Sequence, residues 1–230
     1  MSRLTVTFPI IFLVAISILF GCSSDDDKYP DGIYTNFRYD LVTFSGITGD
    51  QATFSYVPRS DDSATITLTA QKGFSTDGLT AGKRVLLRYS PQAGTAFSGT
   101  QPIYAYFYNS IISDTLRAYR SDVPVSSFSM HPVKMRSAWR TGDYINLHCQ
   151  VEYTGKARVF MLVLDPSTAN ADTVHCYLVH DLRTDTAYFW RNCYASFHVG
   201  KFWNKPSCRT MRLHVNNAAN SQENCFDFSK

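Results

Sequence analysis

The six histidines have the widest chemical repertoire in this chain, because an imidazole binds metals and transfers protons near neutral pH. They include no HxH or HxxxH pair, and His175 and His180 lie five positions apart, on opposite faces of a strand. His148, His175 and His214 become neighbours only if their strands pair side by side. We therefore predict no metal site, no cofactor and solvent-facing histidines on strands. The six are His131, His148, His175, His180, His198 and His214.

Nucleophiles and paired acids give an equally weak signal for catalysis. The segment TFSGITG (43–49) lacks the glycine before the serine that a nucleophile elbow needs. Cys176 is adjacent to His175, so the two side chains point to opposite faces of a strand. Most aspartates fall in predicted turns, where this residue is common. We expect a protein without catalytic activity; the alternative is an envelope hydrolase or a glycan-binding accessory protein with its site where two domains meet.

Three tyrosines, Tyr104, Tyr106 and Tyr108, alternate along one predicted strand, which places them on one face. Such an aromatic row can stack sugar rings, peptides or bases on a small barrel, or it can cover a core or the seam between two domains. Residues 36–122 hold eight basic and seven acidic side chains, and the whole chain has a formal net charge of +3. Because nucleic-acid binding needs a strongly positive surface, we predict no nucleic-acid partner.

The first residues are typical of an exported protein. Arg3 precedes an apolar run, Val6–Phe20, which is shorter than the roughly 20 residues of a membrane-spanning helix. The following LFGC (19–22) resembles a bacterial lipobox, which implies removal of residues 1–21 and attachment of acyl chains, such as palmitate, to Cys22. Several acyl chains on one residue give stable membrane attachment. The alternative is cleavage by an ordinary signal peptidase, which leaves Cys22 as a free thiol.

If Cys22 carries lipid, an odd number of cysteines remains for the folded part of the chain. At least one must then stay unpaired, and the absence of CxxC argues against a zinc ribbon or a redox motif. Their pairing stays open. Cys149 and Cys176 lie on apolar strand faces, where we expect them to act as small buried hydrophobic residues. The five are Cys149, Cys176, Cys193, Cys208 and Cys225.

Alternating apolar residues predict short strands throughout the mature chain. In YINLHCQVEY (144–153), for example, Ile145, Leu147, Cys149 and Val151 share one face. Other predicted strands are 51–58, 63–70, 82–91, 102–119, 157–165 and 172–181. The segment RSDVPVSS (120–127) is the best candidate for a linker between two blocks. No convincing helical stripe follows residue 22, so the pattern predicts an all-β protein.

Several segments together resemble the NigD-like lipoproteins of Bacteroidales. They are the lipobox with its acidic neighbours, AGKRVLLRYSP (81–91), WRTGDYINLHCQVEYTGKARVFMLV (139–163), DTVHCYLVHD (172–181) and RLHVNN (212–217). The resemblance implies an N-terminal OB-like β-barrel and a C-terminal antiparallel β-sandwich. It implies no catalytic residues. We expect a signal peptide at 1–21, an acidic tether at 22–35, the barrel at 36–120 and the sandwich at 124–230.

The acidic residues after Cys22 resemble the signal that sends lipoproteins of this lineage to the cell surface. Asp25, Asp26 and Asp27 lie three to five positions beyond the cysteine. We predict an outer-membrane lipoprotein exposed at the surface, with the periplasmic face as the alternative. Its expected partners are the membrane, through the lipid, and an envelope protein, a peptide or a glycan. We take Tyr104, Tyr106 and Tyr108 as the candidate ligand-binding residues.

Overall fold

A computed structural model describes residues 37–58, 64–92, 99–153, 158–183 and 189–230. The predicted signal peptide, Cys22 and the acidic tether lie outside these ranges. The strands are β1 (Arg38–Thr48), β2 (Gln51–Tyr56), β3 (Ile66–Ala70), β4 (Arg84–Pro91), β5 (Thr100–Ser110), β6 (Ile112–Thr115), β7 (Val133–Thr141), β8 (Tyr144–Tyr153), β9 (Val159–Leu164), β10 (Thr173–Asp181), β11 (Phe189–His198), β12 (Thr210–His214) and β13 (Cys225–Ser229). A one-turn helix, α1 (Gly200–Trp203), precedes β12. Among the described residues, no helix has the length and apolar character needed to cross a bilayer.

The first five strands close into a barrel in the order β1-β2-β3-β5-β4, with β4 pairing back onto β1. All of these pairs are antiparallel except β3 with β5. A closed five-stranded barrel matches the predicted OB-like domain. The interior is filled by large apolar side chains, and the alternation of β4, with Val85, Leu87 and Tyr89 pointing inward, supplies three of them. Strand β1, absent from the sequence-based prediction, completes the closure.

The remaining strands form two four-stranded sheets that enclose a second core. One sheet has the order β13-β12-β10-β9 and the other β6-β11-β8-β7. Ile145, Leu147, Cys149 and Val151 of β8 are all buried between them, as their alternation predicts. The prediction of a sandwich is confirmed, although β10 with β12 and β6 with β11 are parallel pairs rather than antiparallel ones.

The predicted long strand 102–119 is divided between the two domains. Strand β5 belongs to the barrel and ends at Ser110, whereas β6 begins at Ile112 and pairs with β11 of the sandwich. Ile112 and Leu116 pack in the sandwich core, which explains why the chain changes sheets here. The predicted barrel range 36–120 is therefore too long at its C-terminal end, because β6 lies in the sandwich.

The predicted linker region is packed on the sandwich rather than extended between two domains. Tyr119 and Phe128, at its two ends, lie against buried Met161, Val163 and Val179 on the outer face of β9 and β10. The two rings also contact each other, with centroids 4.9 Å apart. This layer covers part of an outward sheet face, so residues there are buried on both sides of the sheet.

His180 is the main exception to the predicted solvent-facing histidines. It lies at the end of β10, is completely buried and contacts the ring of Phe160 with centroids 5.6 Å apart. Its backbone carbonyl accepts a hydrogen bond from the amide of His131, in the chain that leads into β7. His180 shares the inward face of β10 with Val174, Cys176 and Leu178, so the prediction of a solvent-facing side chain was wrong at this position.

Candidate functional site

The three tyrosines of β5 do not share one face, because the pairing of β5 with β4 shifts by one residue after Arg88. Such a bulge redirects the side chains beyond it. Tyr104 is 44% exposed on the outside of the barrel. Tyr108 instead packs against the barrel core beside Phe74, with centroids 6.2 Å apart, and its hydroxyl donates to the carbonyl of Asp77. The predicted row was wrong, and Tyr108 has a structural position.

The bulge creates a cluster of four aromatic rings around one arginine, which we call the Arg88 patch. The guanidinium carbon of Arg88 lies 4.3 Å from the ring centre of Phe37, 5.5 Å from those of Tyr39 and Phe107, and 5.9 Å from that of Tyr106. Tyr39 is 52% exposed and Phe107 is 41% exposed. Cation–π contacts of this kind contribute about 0.5–1 kcal/mol each at exposed sites. The arginine therefore holds exposed rings in a fixed arrangement.

Two of the predicted tyrosines lie in this patch or beside it. Tyr106 is part of it: its hydroxyl is 2.9 Å from Ser90 Oγ, and its ring meets Phe37 edge-on at 5.2 Å. Tyr104 lies directly opposite Ser90 in the β4–β5 pairing, next to the patch along the same strand. The patch is thus more extensive than the predicted row, and most of its rings come from residues that the sequence analysis did not select.

The barrel rests on the outer face of the β6-β11-β8-β7 sheet through a buried arginine, Arg84 of β4. Its Nε donates to Ser196 Oγ at 3.1 Å and its Nη2 donates to Asn146 Oδ1, also at 3.1 Å. Its guanidinium also lies 4.3 Å from the ring centre of Tyr144. Burial lowers the pKa of Arg84 to about 10. Ser196, Asn146 and Tyr144 are uncharged. With Arg84 they form the seam between the domains, so the three tyrosines of β5 do not.

Beside this seam lies a cleft of about 610 Å³ between the barrel and the sandwich. Its barrel wall includes Tyr39, which it shares with the Arg88 patch, and Tyr56. Its sandwich wall includes Trp139, His148 and Tyr194. Trp139 thus lines this open cleft. The cleft and the patch therefore form one continuous aromatic surface.

On the barrel wall of the cleft, the carboxylate of Asp40 already accepts hydrogen bonds from two neighbouring side chains. Asp40 accepts from Arg38 Nε at 3.0 Å and from the hydroxyl of Tyr89 at 2.8 Å. Arg38 also donates to the hydroxyl of Tyr56 at 3.0 Å. Burial, followed by the nearby charge of Asp40, raises the pKa of Tyr89 well above its usual range. This network orients the wall and presents Arg38 and Tyr56 to the cleft.

The opposite wall presents a histidine with unused hydrogen-bonding capacity. The ring of His148 stacks on Tyr194, with centroids 4.3 Å apart and planes 8° from parallel. Its Nε2 is buried and has no hydrogen-bond partner among the described residues. Burial, with a smaller contribution from Arg136, lowers the pKa of His148. This imidazole is therefore neutral at pH 7 and forms part of the cleft wall.

Sequence analysis gave three histidines that strand pairing could bring together, and two of them, His175 and His214, do lie side by side. His175 Nδ1 and His214 Nε2 are 2.9 Å apart on the outer face of the β13-β12-β10-β9 sheet, whereas His148 lies on the other sheet, at the cleft. Within the described ranges, no set of three or more metal-binding side chains converges on one point. His148 therefore belongs to the cleft, and the other two form a separate cluster.

Comparison with known proteins shows which family the sandwich domain matches. Residues 119–228 match the family model for the NigD-like C-terminal beta sandwich domain. The carboxyl-terminal domain belongs to this NigD-like family. The resemblance predicted from the sequence is thereby confirmed. No curated protein matches the sequence.

Solved structures show a similar fold that includes the barrel. A protein of unknown function (DUF1344) from Bacteroides vulgatus superposes with a TM-score of 0.67 at 14% identity, covering 85% of this chain and 91% of that one. A NigD-like immunity protein from Bacteroides caccae gives a TM-score of 0.59 at 20% identity, covering 86% and 94%. At these identities the likeness concerns the fold alone. Both alignments extend well beyond the sandwich and so include the barrel.

One sequence pattern could have indicated the two arginines, Arg84 and Arg88, that the sequence analysis did not select. In RVLLRYSP, Arg84, Leu86 and Arg88 alternate with inward-facing apolar residues, so all three point out of the barrel. Two outward arginines on a strand of a nearly neutral domain suggest a contact surface. The sequence could not reveal that Arg84 meets the sandwich and that Arg88 meets four rings, because those partners come from other strands.

Proposed function

We propose that this chain is a lipid-anchored outer-membrane protein, exposed at the cell surface, that binds a partner without catalysing a reaction. The observation that carries the proposal is the Arg88 patch, whose exposed rings continue through Tyr39 into the cleft. Monomeric proteins rarely expose contiguous apolar area without a use for it. The anchor rests on Cys22 and its lipobox, and surface exposure rests on the acidic residues that follow it.

A protein or peptide is the partner that this surface favours. Residues that dominate protein interfaces are enriched in tyrosine and arginine, and rigid aromatic side chains bind at low entropic cost. Phe37 and Phe107 contribute rings without hydroxyl groups, which suits apolar contact better than hydrogen bonding to sugars. The name of the Bacteroides caccae relative, an immunity protein, agrees with a peptide or protein toxin as the bound molecule.

A glycan in the cleft is the second candidate, supported by a different observation. There, the rings of Trp139 and Tyr194 lie near polar groups of Arg38 and His148, and aromatic rings with a few polar groups are typical of sites for small ligands. The two candidates use adjoining surfaces. Variants confined to one surface or the other can therefore separate them.

A photo-crosslinking amino acid at position 107 tests the protein partner in living cells. We expect a defined adduct from this position and none from position 47, where Ile47 is 62% exposed on the same barrel. Tyr39 and Ile47 are eight positions apart on β1, about 26 Å along a strand. The absence of an adduct at 107, or equal adducts at both positions, contradicts binding by the Arg88 patch. Glycan binding that is lost in Trp139→Ala and retained in Phe107→Ala supports the second candidate.

Replacing Cys22 tests the anchor separately. We expect Cys22→Ser to abolish palmitate labelling and to release the protein from membranes. Replacing Asp25, Asp26 and Asp27 by asparagine keeps the lipid and should reduce digestion of the protein by protease added to intact cells. Continued labelling of Cys22→Ser contradicts the anchor, and unchanged protease sensitivity of the asparagine variant contradicts the proposed surface signal.

A further inference from the structure

Three side chains on the outer face of the sandwich form a hydrogen-bonded relay, which we call the Cys225 relay. Cys225 of β13 lies directly opposite His214 of β12, and its Sγ is 3.3 Å from His214 Nδ1. His214 Nε2 is in turn 2.9 Å from His175 Nδ1 on β10. Cys225 is exposed, whereas the two imidazoles are half-buried. The order is nucleophile, base and orienting group, which is the arrangement that activates a nucleophilic side chain.

One set of tautomers satisfies the whole relay. The Cys225 thiol donates to His214 Nδ1, His214 Nε2–H donates to His175 Nδ1, and the remaining His175 Nε2–H is left for solvent. The ring of Tyr177 lies flat against His214, with centroids 4.4 Å apart and planes 10° from parallel. Three strands thus fix the orientation of the His214 imidazole, so the nitrogen that accepts the thiol proton is already in position.

Burial, together with nearby positive groups, keeps the His214 imidazole neutral, so that it can accept a proton. Burial lowers its pKa most, followed by His175 and Arg212, while Asp227 and Asp165 act in the opposite direction. Arg212 is held by Asp227 in a two-point pair, with both nitrogen–oxygen distances at 2.7 Å. A neutral base beside an exposed thiol permits proton transfer as the sulfur attacks.

We propose that Cys225 is a reactive thiol that exchanges with low-molecular-weight disulfides, with His214 as the base and His175 as a positioning residue. The Cys225 sulfur attacks one sulfur of the disulfide while its proton passes to His214 Nδ1. The disulfide bond breaks, and the second sulfur leaves as a thiolate that takes the proton from His214. The products are a mixed disulfide on Cys225 and one free thiol, so the exchange needs no additional oxidant or reductant.

The surroundings of Cys225 favour a small disulfide and a lasting adduct. An open groove of about 310 Å³ adjoins His214 and is lined by Tyr177, Val215 and Asn224, among others. This volume is at the lower end of the range for small-molecule sites. Among the described cysteines, the other four are buried, so none of them is exposed to resolve the mixed disulfide. The adduct is therefore expected to persist until an external thiol removes it.

Ellman's reagent, an aromatic disulfide, tests the relay on the full-length protein at pH 7. We expect a fast phase that disappears in Cys225→Ser and slows about 100-fold in His214→Asn, the size of a typical general-base contribution. His175→Ala should slow the reaction, and His175→Gln should restore it, because the amide oxygen can accept the proton of His214 Nε2. Every variant carries the same Cys22, so its reaction cancels in the comparison.

The pH profile separates base assistance from a merely structural effect. The parent rate should level off above the titration of His214, whereas the His214→Asn rate should rise steadily with pH, as for an unassisted thiol. His198→Gln, which changes a histidine on the opposite sheet, is the matched control and should react like the parent. Equal rates and profiles in the parent and in His214→Asn overturn the proposal, as does a fast phase that survives in Cys225→Ser.

Oxidised glutathione then tests whether the proposed class of substrate is right. Intact mass and peptide mapping should find one glutathione on Cys225, removable by a reducing thiol. Reaction with Ellman's reagent but not with oxidised glutathione overturns the assignment of the substrate class. If His214→Asn fails to fold, as judged by circular dichroism, the His175→Ala and His175→Gln pair decides the outcome, and equal rates in those two variants and the parent contradict the relay.

Discussion

The buried histidine His180 makes the stability of this protein depend on pH in a predictable way. Burial lowers its pKa to about 4, with a further contribution from the charge of Arg158 and partial compensation by hydrogen bonding to the Pro132 carbonyl at 3.3 Å. Its Nε2 is buried without a partner in the part of the chain that the structure describes. His131 and Asp181 are the other titratable groups beside it. The folded protein therefore holds His180 neutral.

In the unfolded chain, a histidine titrates near its ordinary pKa of about 6.5. As the pH falls below that value, the unfolded state binds a proton that the folded state does not bind until about pH 4. Stability is thus complete above about pH 7 and decreases between pH 6.5 and 4, by up to about 1.4 kcal/mol per pH unit. Between pH 7.5 and 5, the loss from His180 alone is about 2 kcal/mol. This corresponds to a decrease in Tm of about 4–8 °C for a chain of this size.

Urea unfolding of the parent and of His180→Phe at pH 5, 6, 7 and 8 measures this effect. Phenylalanine fills the site without titrating, so any constant cost of the substitution cancels when the two free energies are subtracted at each pH. We expect that difference to change by about 2 kcal/mol between pH 7.5 and 5, with the parent losing more. His198→Gln, at a half-buried histidine on the other sheet, should follow the parent. A difference that stays constant over this range, or one of opposite sign, would refute the assignment of His180 as a buried neutral group.

Three further predictions follow from the seam, the thiols and the bulge. Arg84→Met removes the donor to Ser196 Oγ and one of the two donors to Asn146 Oδ1, and should lower the free energy of unfolding by about 1–3 kcal/mol in urea titrations. A maleimide added to the native protein should label Cys225 and spare the four buried cysteines of the described region, whereas denaturation should expose them all, as intact mass can count. Tyr108→Ala should cost about 2 kcal/mol of stability because its ring packs on the barrel core, while Tyr104→Ala should change stability by no more than about 0.5 kcal/mol.

The parts of the fold that were predictable depend on local patterns. The alternation in β8 correctly selected Ile145, Leu147, Cys149 and Val151 as core residues, because a strand between two layers must bury every second side chain. Four barrel strands, β2 to β5, were also found from their alternation, although the predicted strand 102–119 continued into β6.

The features that were missed depend on contacts between distant segments. The bulge beside Arg88 divides Tyr104 from Tyr108, and nothing in the alternation of β5 announces it, because the extra residue is defined only against β4. His180 is buried against Phe160, its pairing partner on β9. The Cys225 relay requires β10 to pair with β12, although β11, which lies between them in the chain, belongs to the other sheet. In each case, the sequence shows the residue types but does not show which residues lie beside them in the fold.

The chain passes from the barrel to the sandwich between Ser110 and Ile112, and this limits where it can be cut into fragments that fold alone. The matched family region begins at residue 119, after β6, although β6 pairs with β11 along the edge of the sandwich. A fragment cut at that boundary would lose Ile112 and Leu116 from its core and would leave one edge of β11 unpaired, which favours association between chains. The segment that recurs among relatives is therefore shorter than the segment that must fold together, because the edge strand of the sandwich comes directly after the barrel in the chain.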